Sequence, residues 1–574
     1  MFTLKVKFLI AFMCFFRSAF GTTDVAWWDY TTIDRTWWKN TTLYQVLLPS
    51  FMDGDGDGYG DLKGLTSKLD YLVDLGIETI LITPHCKSPD VKYAGYDIID
   101  YVGVNPLLGT MHDFDELMEE MNKRNLKLII DMVINHSSNK HPWFIHSVNK
   151  KKPYTDYYVW KDPAGYDRNG NPIPPNNWQN VIEGSSWTWN AKRKQFYLHQ
   201  FIKEMPDLNL RNIYVLHEFK KIMEFWSDKG VAGFRLDAYE HFVEDAEFRN
   251  EPMLNLSTPV IKTRYDQVNM FTQHVDDSLE VVHKLRQITD YLTIKSGDFE
   301  RILVPESNSR KKELYRIYGS SDYKLVHFPL SYWITWSYHY ENAFYYRNLV
   351  DGYLGCLPRG SIANWVSENH DIPRKAQVFN EEYELILTTM VLLLPGVAYI
   401  YYGQELGVAG WRFPDKSIES QRLPMIWDDS TNAGFTNNNS KPYLPISPDY
   451  RKNNVKKQKA EKDSHYNKVK TMISWRKSDV LKYGDVKSYV LSDWVYSFTR
   501  RLDNEIYLAT FNLGNTTEFV NLRQSIEKLP HRMVVKLASN NSDYETGDVI
   551  NTKRKFRLEP QSTVVLYPKR IRVD

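Results

Sequence analysis

Four stretches of this 574-residue chain end an apolar run in groups that can move a proton or attack an electrophile. In Ile129-Ile130-Asp131-Met132-Val133-Ile134-Asn135-His136 a strand period of two puts Asp131, Val133 and Asn135 on one face. Gly233-Phe234-Arg235-Leu236-Asp237 sends Arg235 and Asp237 to the same side, where the guanidinium keeps the carboxylate ionised and nucleophilic. Leu303-Val304-Pro305-Glu306 closes on a glutamate, and Asn369-His370-Asp371 follows Trp365-Val366-Ser367-Glu368. This inventory suits glycoside hydrolysis, in which one carboxylic acid protonates the leaving oxygen and one carboxylate attacks the anomeric carbon. A structural ion-pair network accounts for any single stretch, since strand ends commonly carry Asp or Asn. Four in register weigh against it.

Groups so placed need strands whose carboxyl ends share one mouth. Short apolar runs at 43–48, 79–83, 126–134, 231–236, 302–304, 325–328, 362–366 and 397–401 supply eight, with helical patterns at 65–75, 113–125 and 215–229 between them. The prediction is an α/β fold, a (β/α)8 TIM-type barrel. The interval from Asp131 to Asp237 far exceeds the ~30 residues of one βα unit, and 137–212 is rich in Pro, Gly, Asn and Trp. It reads as a small inserted domain after the third strand. Beyond about 486 short alternating strands predict a C-terminal antiparallel β-sandwich. The expected division is a leader at 1–21, barrel at 22–136 and 213–485, insertion at 137–212 and sandwich at 486–574.

Composition bounds the partners. With 42% hydrophobic and 25% charged residues the chain is neither disordered nor a coiled-coil rod. Lys and Arg total 72 against 71 Asp and Glu, leaving no basic excess for nucleic acid. Aromatics reach 14%, which suits stacking on sugars or generous core packing. The N-terminus has lysines, a short apolar run at 8–16 and the small residues Ala19 and Gly21, the pattern of a secretory signal peptide. No later run is long enough to span a membrane, and the C-terminal residues lack the apolar tail of a lipid-anchor signal. The expectation is a secreted protein. Sequons at Asn40, Asn255, Asn438, Asn515 and Asn540 fit an exported glycoprotein; Asn135 also matches but is expected inside the barrel mouth. Whether Cys86 and Cys356 pair is open at this level. The loop Asp53-Gly54-Asp55-Gly56-Asp57-Gly58-Tyr59-Gly60-Asp61 spaces carboxylates as Ca²⁺ requires, with a solvated acidic turn as the plain alternative.

The four stretches, in this order and spacing, resemble the signature regions of the α-amylase family, closest to animal and insect maltase-type α-glucosidases. Met205-Pro206-Asp207-Leu208-Asn209, Gly95-Tyr96-Asp97-Ile98, Tyr401-Tyr402-Gly403-Gln404-Glu405 and the run from Arg422 to Asp428 resemble further motifs of that group. The resemblance implies Asp237 as nucleophile, Glu306 as acid/base and Asp371 as the carboxylate that binds sugar hydroxyls at the transition state. It further implies that Arg235 orients Asp237, that His136 and His370 bond the nonreducing glucose, and that Tyr96 stacks on it. Asp97 and Arg422 would close the pocket, giving an exo-acting, retaining enzyme with its carboxyl groups ~5–5.5 Å apart. It implies a structural calcium on Asp53, Asp55, Asp57, Tyr59 and Asp61, and no organic cofactor.

The chain departs from the pattern in Leu47-Leu48-Pro49-Ser50, where relatives carry Tyr-Pro-Arg before Ser-Phe, and around Glu306, where Pro305 and Ser307-Asn308 stand in a stretch that often reads Thr-Glu-Ala. Both departures, with Ala238 beside the nucleophile, bear on linkage preference. Two alternatives use the same scaffold: a sugar-binding, receptor or transporter-heavy-chain-like protein without catalysis, and a transglucosylase. Retention of Asp237, Glu306 and Asp371 favours an enzyme over the first.

Overall fold

The computed structural model describes residues 33–568 except 90–94, 183, 255–262, 309–310, 321, 338, 412 and 414–418. The signal expected at 1–21 and the Asn255 sequon lie outside the described residues. Eight parallel strands form the central sheet: β1 (Thr42–Val46), β2 (Thr79–Ile82), β3 (Lys127–Met132), β4 (Gly233–Leu236), β5 (Ile302–Ser307), β6 (Leu330–Ser331), β7 (Asn364–Trp365) and β8 (Val397–Tyr401). Each pairs with the next from β1 to β6, β7 pairs with β8, and β8 returns to β1. The remaining seam is bridged by a side chain: Ser331 N donates to Asn364 Oδ1 at 3.1 Å, while Asn364 Nδ2 donates to Val397 O at 3.2 Å. The strands are buried on both faces, as a parallel sheet wrapped by helices must be.

The wrapping helices are α1 (Leu69–Leu75), α2 (Met111–Lys123), α3 (Ile213–Asp228), α4 (Asp277–Ser296), α5 (Lys311–Arg316), α6 (Ala343–Cys356), α7 (Glu381–Leu393) and α8 (His465–Trp475). Local chemistry sets their ends. Thr110 and Asp113 form a reciprocal capping box at the start of α2, and Gly76 ends α1 at φ 96°, a conformation that costs a side chain ~1–2 kcal/mol. The helix expected at 65–75 is broken: Leu62–Ser67 forms a separate turn of helix capped by the Asp61 carboxylate, and α1 starts after Lys68.

The sixth strand is a correction to the sequence reading. The run 325–328 lies against β5 without forming a regular ladder, because Leu303 N donates to the His327 side chain Nδ1 (2.9 Å) instead of to a carbonyl. Phe328 stacks on Trp38 with centroids 5.8 Å apart, and the ladder begins only at Leu330. Between β3 and α3 the chain folds into a helix at Pro142–Val148 and an antiparallel sheet of Trp160–Lys161, Gln195–Leu198 and Trp187–Asn190.

A second excursion follows β4. Phe248 stacks on Trp178 at 5.5 Å, Trp178 Nε1 donates to Arg249 O, and Asn177 exchanges bonds with Glu251, so the two excursions share one wall. At the C-terminus a six-stranded antiparallel sheet (Asp485–Val490, Val495–Leu502, Glu505–Asn512, Thr563–Pro568, Arg532–Ala538, Val549–Asn551) faces the pair Glu518–Val520 and Phe556–Leu558 across a core of its own. Cys86 is buried and Cys356 exposed, and both are free thiols. Among the described residues no helix is long and apolar enough to cross a membrane.

Candidate active site

Register delivers the site. Arg235 on β4 lies opposite Asp131 on β3 and Val304 on β5, so the strand ends carry Asp131, Arg235 and Glu306 into one cluster. Past Leu236 the chain turns sharply: Ala238 adopts φ 50°, ψ 35°, a left-handed conformation that costs a non-glycine residue ~1–2 kcal/mol. That turn ends the strand directly after Asp237 and starts the 3-10 helix Tyr239–His241.

The guanidinium of Arg235 organises the carboxylates. Nη1 contacts both oxygens of Asp131 (2.8 and 2.7 Å) and Asp237 Oδ1 (2.8 Å); Nη2 contacts Glu306 Oε2 (2.5 Å). Side-chain exposure separates their roles. Asp131 is 0% and Arg235 1% exposed, Asp237 and Glu306 are 11% and 14%, and Asp371 is 43%. Asp131 anchors the arginine from beneath, while the other three can reach a ligand.

One cation faces three anions in a buried place, so protons are retained. Burial, partly offset by Arg235, pushes Asp131 up to about 6, Asp237 up to about 7 and Glu306 up to about 8. At neutral pH the retained proton resides chiefly on Glu306, the position a general acid needs. Burial also raises Asp371, but His370, Arg422 and Arg235 outweigh it and hold that carboxyl below its ordinary range.

Around this core, Tyr96 donates to Asp131 Oδ2 (2.8 Å) and lies 2.9 Å from His370 Nε2. Its ring is parallel to that of His370, with centroids 5.9 Å apart. Arg422 Nε donates to His370 O and Nη2 to Asp371 Oδ1 (3.0 Å), while Nη1 pairs with Glu419. The described ion pairs of Arg422 therefore brace the Asp371 loop. Asp97 is buried. His136 and His370 are both buried and pulled down to about 4, so each is neutral. Asn308, one of the departures from the pattern, donates to Glu306 Oε1 at 3.4 Å.

Sequence reasoning gave no role to Gln45 and named Asp207 only within a motif of the resemblance. Asp207, buried and pushed up to about 8, accepts bonds from Gln200 and Asn135 and ties the insertion to the strand that carries His136. Gln45, on β1, points its Nε2 at His370 Nδ1 (3.1 Å). Neither ends an apolar run, so the residues alone gave no signal for Gln45, and for Asp207 the signal was the resemblance of its motif.

In the acidic loop, carboxylate oxygens of Asp53, Asp55 and Asp57 lie within 4.8 Å of one another. Asp61 turns away and accepts from the backbone N–H groups of Gly64, Gly54 and Asp55. The Tyr59 ring stacks on Tyr443 at 4.9 Å. Burial raises Asp57, and the Asp55 and Asp53 carboxylates add to the rise against the Tyr59 N–H that Asp57 accepts.

Residues 45–484 match the family model of the α-amylase catalytic domain. The chain is 35% identical over 532 residues to an α-glucosidase of Culex pipiens, covering 92% of this chain and 90% of that one. It is 34% identical over 550 residues to maltase 1 of Drosophila virilis, covering 92% and 86%. Among solved structures it resembles the α-glucosyl transfer enzyme XgtA with a TM-score of 0.80 and 28% identity, over 93% of this chain and 99% of that one.

Proposed function

The chain belongs to the α-amylase family of glycoside hydrolases, and from that premise we propose that it is a secreted, exo-acting, retaining α-glucosidase releasing glucose from maltose, sucrose or short α-glucosides. The observation that carries this is the sharing of one guanidinium by Asp237 and Glu306. Two carboxyl groups held on the terminal nitrogens of one guanidinium favour the close pair of a retaining enzyme over the wider gap in which an inverting enzyme places its water.

The steps then follow. Asp237 attacks the anomeric carbon as Glu306 gives its proton to the glycosidic oxygen, which leaves as an alcohol. Asp131 and Arg235 hold Asp237 in line, and Asp371, kept ionised by Arg422, accepts bonds from sugar hydroxyls that shorten as the ring flattens. Glu306, now a carboxylate, takes a proton from water, whose oxygen attacks the anomeric carbon and displaces Asp237. Two inversions return the original configuration.

Asp53, Asp55 and Asp57 are suited to hold a Ca²⁺, which would neutralise their repulsion and stiffen the loop; it would take no part in the reaction. Exposure of Asn438, Asn515 and Asn540 at the surface supports glycosylation there, Asn40 is half-buried, and Asn135 is buried. A second reading, transglucosylation, is favoured by the likeness to an α-glucosyl transfer enzyme, and differs only in the acceptor that meets the glucosyl-Asp237 ester.

A hydrolysis panel of maltose, sucrose, isomaltose, trehalose and starch, run on wild type and Asp237→Asn, tests the proposal. Glucose release that the substitution abolishes is expected. Full activity of Asp237→Asn sinks the mechanism, and polymer cleavage without glucose release sinks the exo mode. Oligosaccharides accumulating at high maltose would mark transfer over hydrolysis.

A further inference from the structure

The hydroxyl of Tyr96 has one proton and three neighbours: Asp131 Oδ2 at 2.8 Å, His370 Nε2 at 2.9 Å and Arg235 Nη1 at 3.2 Å. Asp131, gripped through both oxygens by Arg235, is a carboxylate and can only accept. The hydroxyl proton therefore goes to Asp131, and its lone pairs face the other two neighbours. Arg235 donates to one. His370 must donate to the other, so its Nε2 carries a hydrogen. The ring is buried and neutral, which leaves Nδ1 bare and in need of a donor. Gln45 Nε2 stands 3.1 Å from it. The opposite amide orientation would set a carbonyl oxygen against a lone pair. The bond is kept even though Gln45 Oε1, buried, has no hydrogen-bond partner among the described residues.

We propose that Gln45 is a positioning residue that fixes the tautomer of His370, holding the proton on Nε2 so that the ring presents a donor to the bound sugar. The inference rests on the α-glucosidase reading above. When glucose enters, the Nε2–H that serves Tyr96, and lies 3.4 Å from Asp371 Oδ1, turns to a sugar hydroxyl. The reverse tautomer would offer that hydroxyl a lone pair. Gln45 reaches the site from β1, on the far side of the ring from substrate, and acts only through His370. The charged and titratable groups facing the ring are Tyr96, Asp371, Arg422 and Arg235, and the test leaves all four in place.

Wild type, Gln45→Glu and Gln45→Met are compared by nitrogen-15 NMR of histidine-labelled, substrate-free protein, with the His370 signals assigned by their loss in His370→Asn. Wild type should show a protonated Nε2 and a bare Nδ1. In Gln45→Glu the new carboxylate draws a proton onto Nδ1, and kcat/KM for maltose should fall about 10-fold, the worth of one misdirected buried hydrogen bond. The ratio of Gln45→Glu to wild-type kcat/KM should rise as pH falls, because the doubly protonated ring regains its Nε2–H. Gln45→Met keeps the volume and should lose activity with a ratio flat in pH, which a purely structural role would also give; the contrast between the two variants carries the test. A wild-type ring protonated on Nδ1 overturns the proposal, as does a Gln45→Glu protein with wild-type kcat/KM at every pH. If Gln45→Glu does not fold, the wild-type spectrum still decides, since a ring protonated on Nδ1 overturns the proposal. Failure of wild type to cleave any α-glucoside would remove the functional reading and leave the tautomer measurement standing.

Discussion

At the scale of single residues, the site works by giving chemically equal carboxyl groups unequal surroundings. Asp131, Asp237 and Glu306 share Arg235, yet they differ in burial and in the anions they face, and their proton affinities spread in that order. Glu306→Gln should lower kcat on maltose by at least ~10²–10⁴-fold, the usual worth of a general acid, while leaving glucosyl transfer to the enzyme fast with leaving groups that need no proton. Comparing maltose with an activated α-glucoside checks this; equal losses on both would contradict the role. The charge of Asp131 raises Asp237, so Asp131→Asn should move the acid limb of the kcat/KM profile to lower pH, and an unmoved limb would count against the coupling. The catalytic groups were legible in the sequence because they interrupt apolar runs at strand ends. Gln45 was not, since its importance lies in which atom it meets across the barrel, and Asp207 was legible only through the resemblance of its motif.

At the scale of elements, legibility followed periodicity. The residues 397–401 read as a strand and form one, whereas 325–328 read as a strand and do not, because a histidine side chain took the ladder bond of Leu303. The second excursion after β4 escaped notice because its contacts, Trp178 with Phe248 and Asn177 with Glu251, are distant in sequence. Trp178 is fully buried. Trp178→Ala should cost ~3–5 kcal/mol of local stability and raise KM more than it lowers kcat, since it loosens the wall and not the carboxylates. Limited proteolysis of the region 160–250 with parallel kinetics is the check.

The acidic loop offers a signed pH test. Burial and like charge raise Asp57 and Asp61 above their unfolded values, so in chelator the loop's stability is full below the unfolded carboxylate range and is lost as pH rises through the raised folded values. Saturating Ca²⁺ should cancel that loss and raise Tm. A Tm unaffected by chelator at pH 7 would contradict the assignment of a cation to Asp53, Asp55 and Asp57.

At the scale of the whole molecule, the terminal sandwich is bound to the barrel by the buried Arg500, which satisfies a carbonyl at the end of α7. Arg500 donates to Leu393 O and also to Leu481 O and Gly484 O just before the first sandwich strand, while Arg476, at the end of α8 in the barrel, donates to Leu392 O and Gly396 O. A helix end leaves such acceptors unpaired by its own backbone. Arg500→Met should therefore lower Tm and split the calorimetric transition of barrel and sandwich, a single undisturbed transition being the contrary result. This arrangement keeps the barrel floor fixed while the excursions shape its mouth, and the central claim concerns the chemistry performed there. It is tested most directly by proton NMR of the first glucose released from an aryl α-glucoside, whose leaving group is not a sugar, read before the anomers equilibrate. Attack by Asp237 followed by water predicts α-glucose first, with β-glucose appearing only by mutarotation; β-glucose as the initial product would contradict a nucleophilic Asp237.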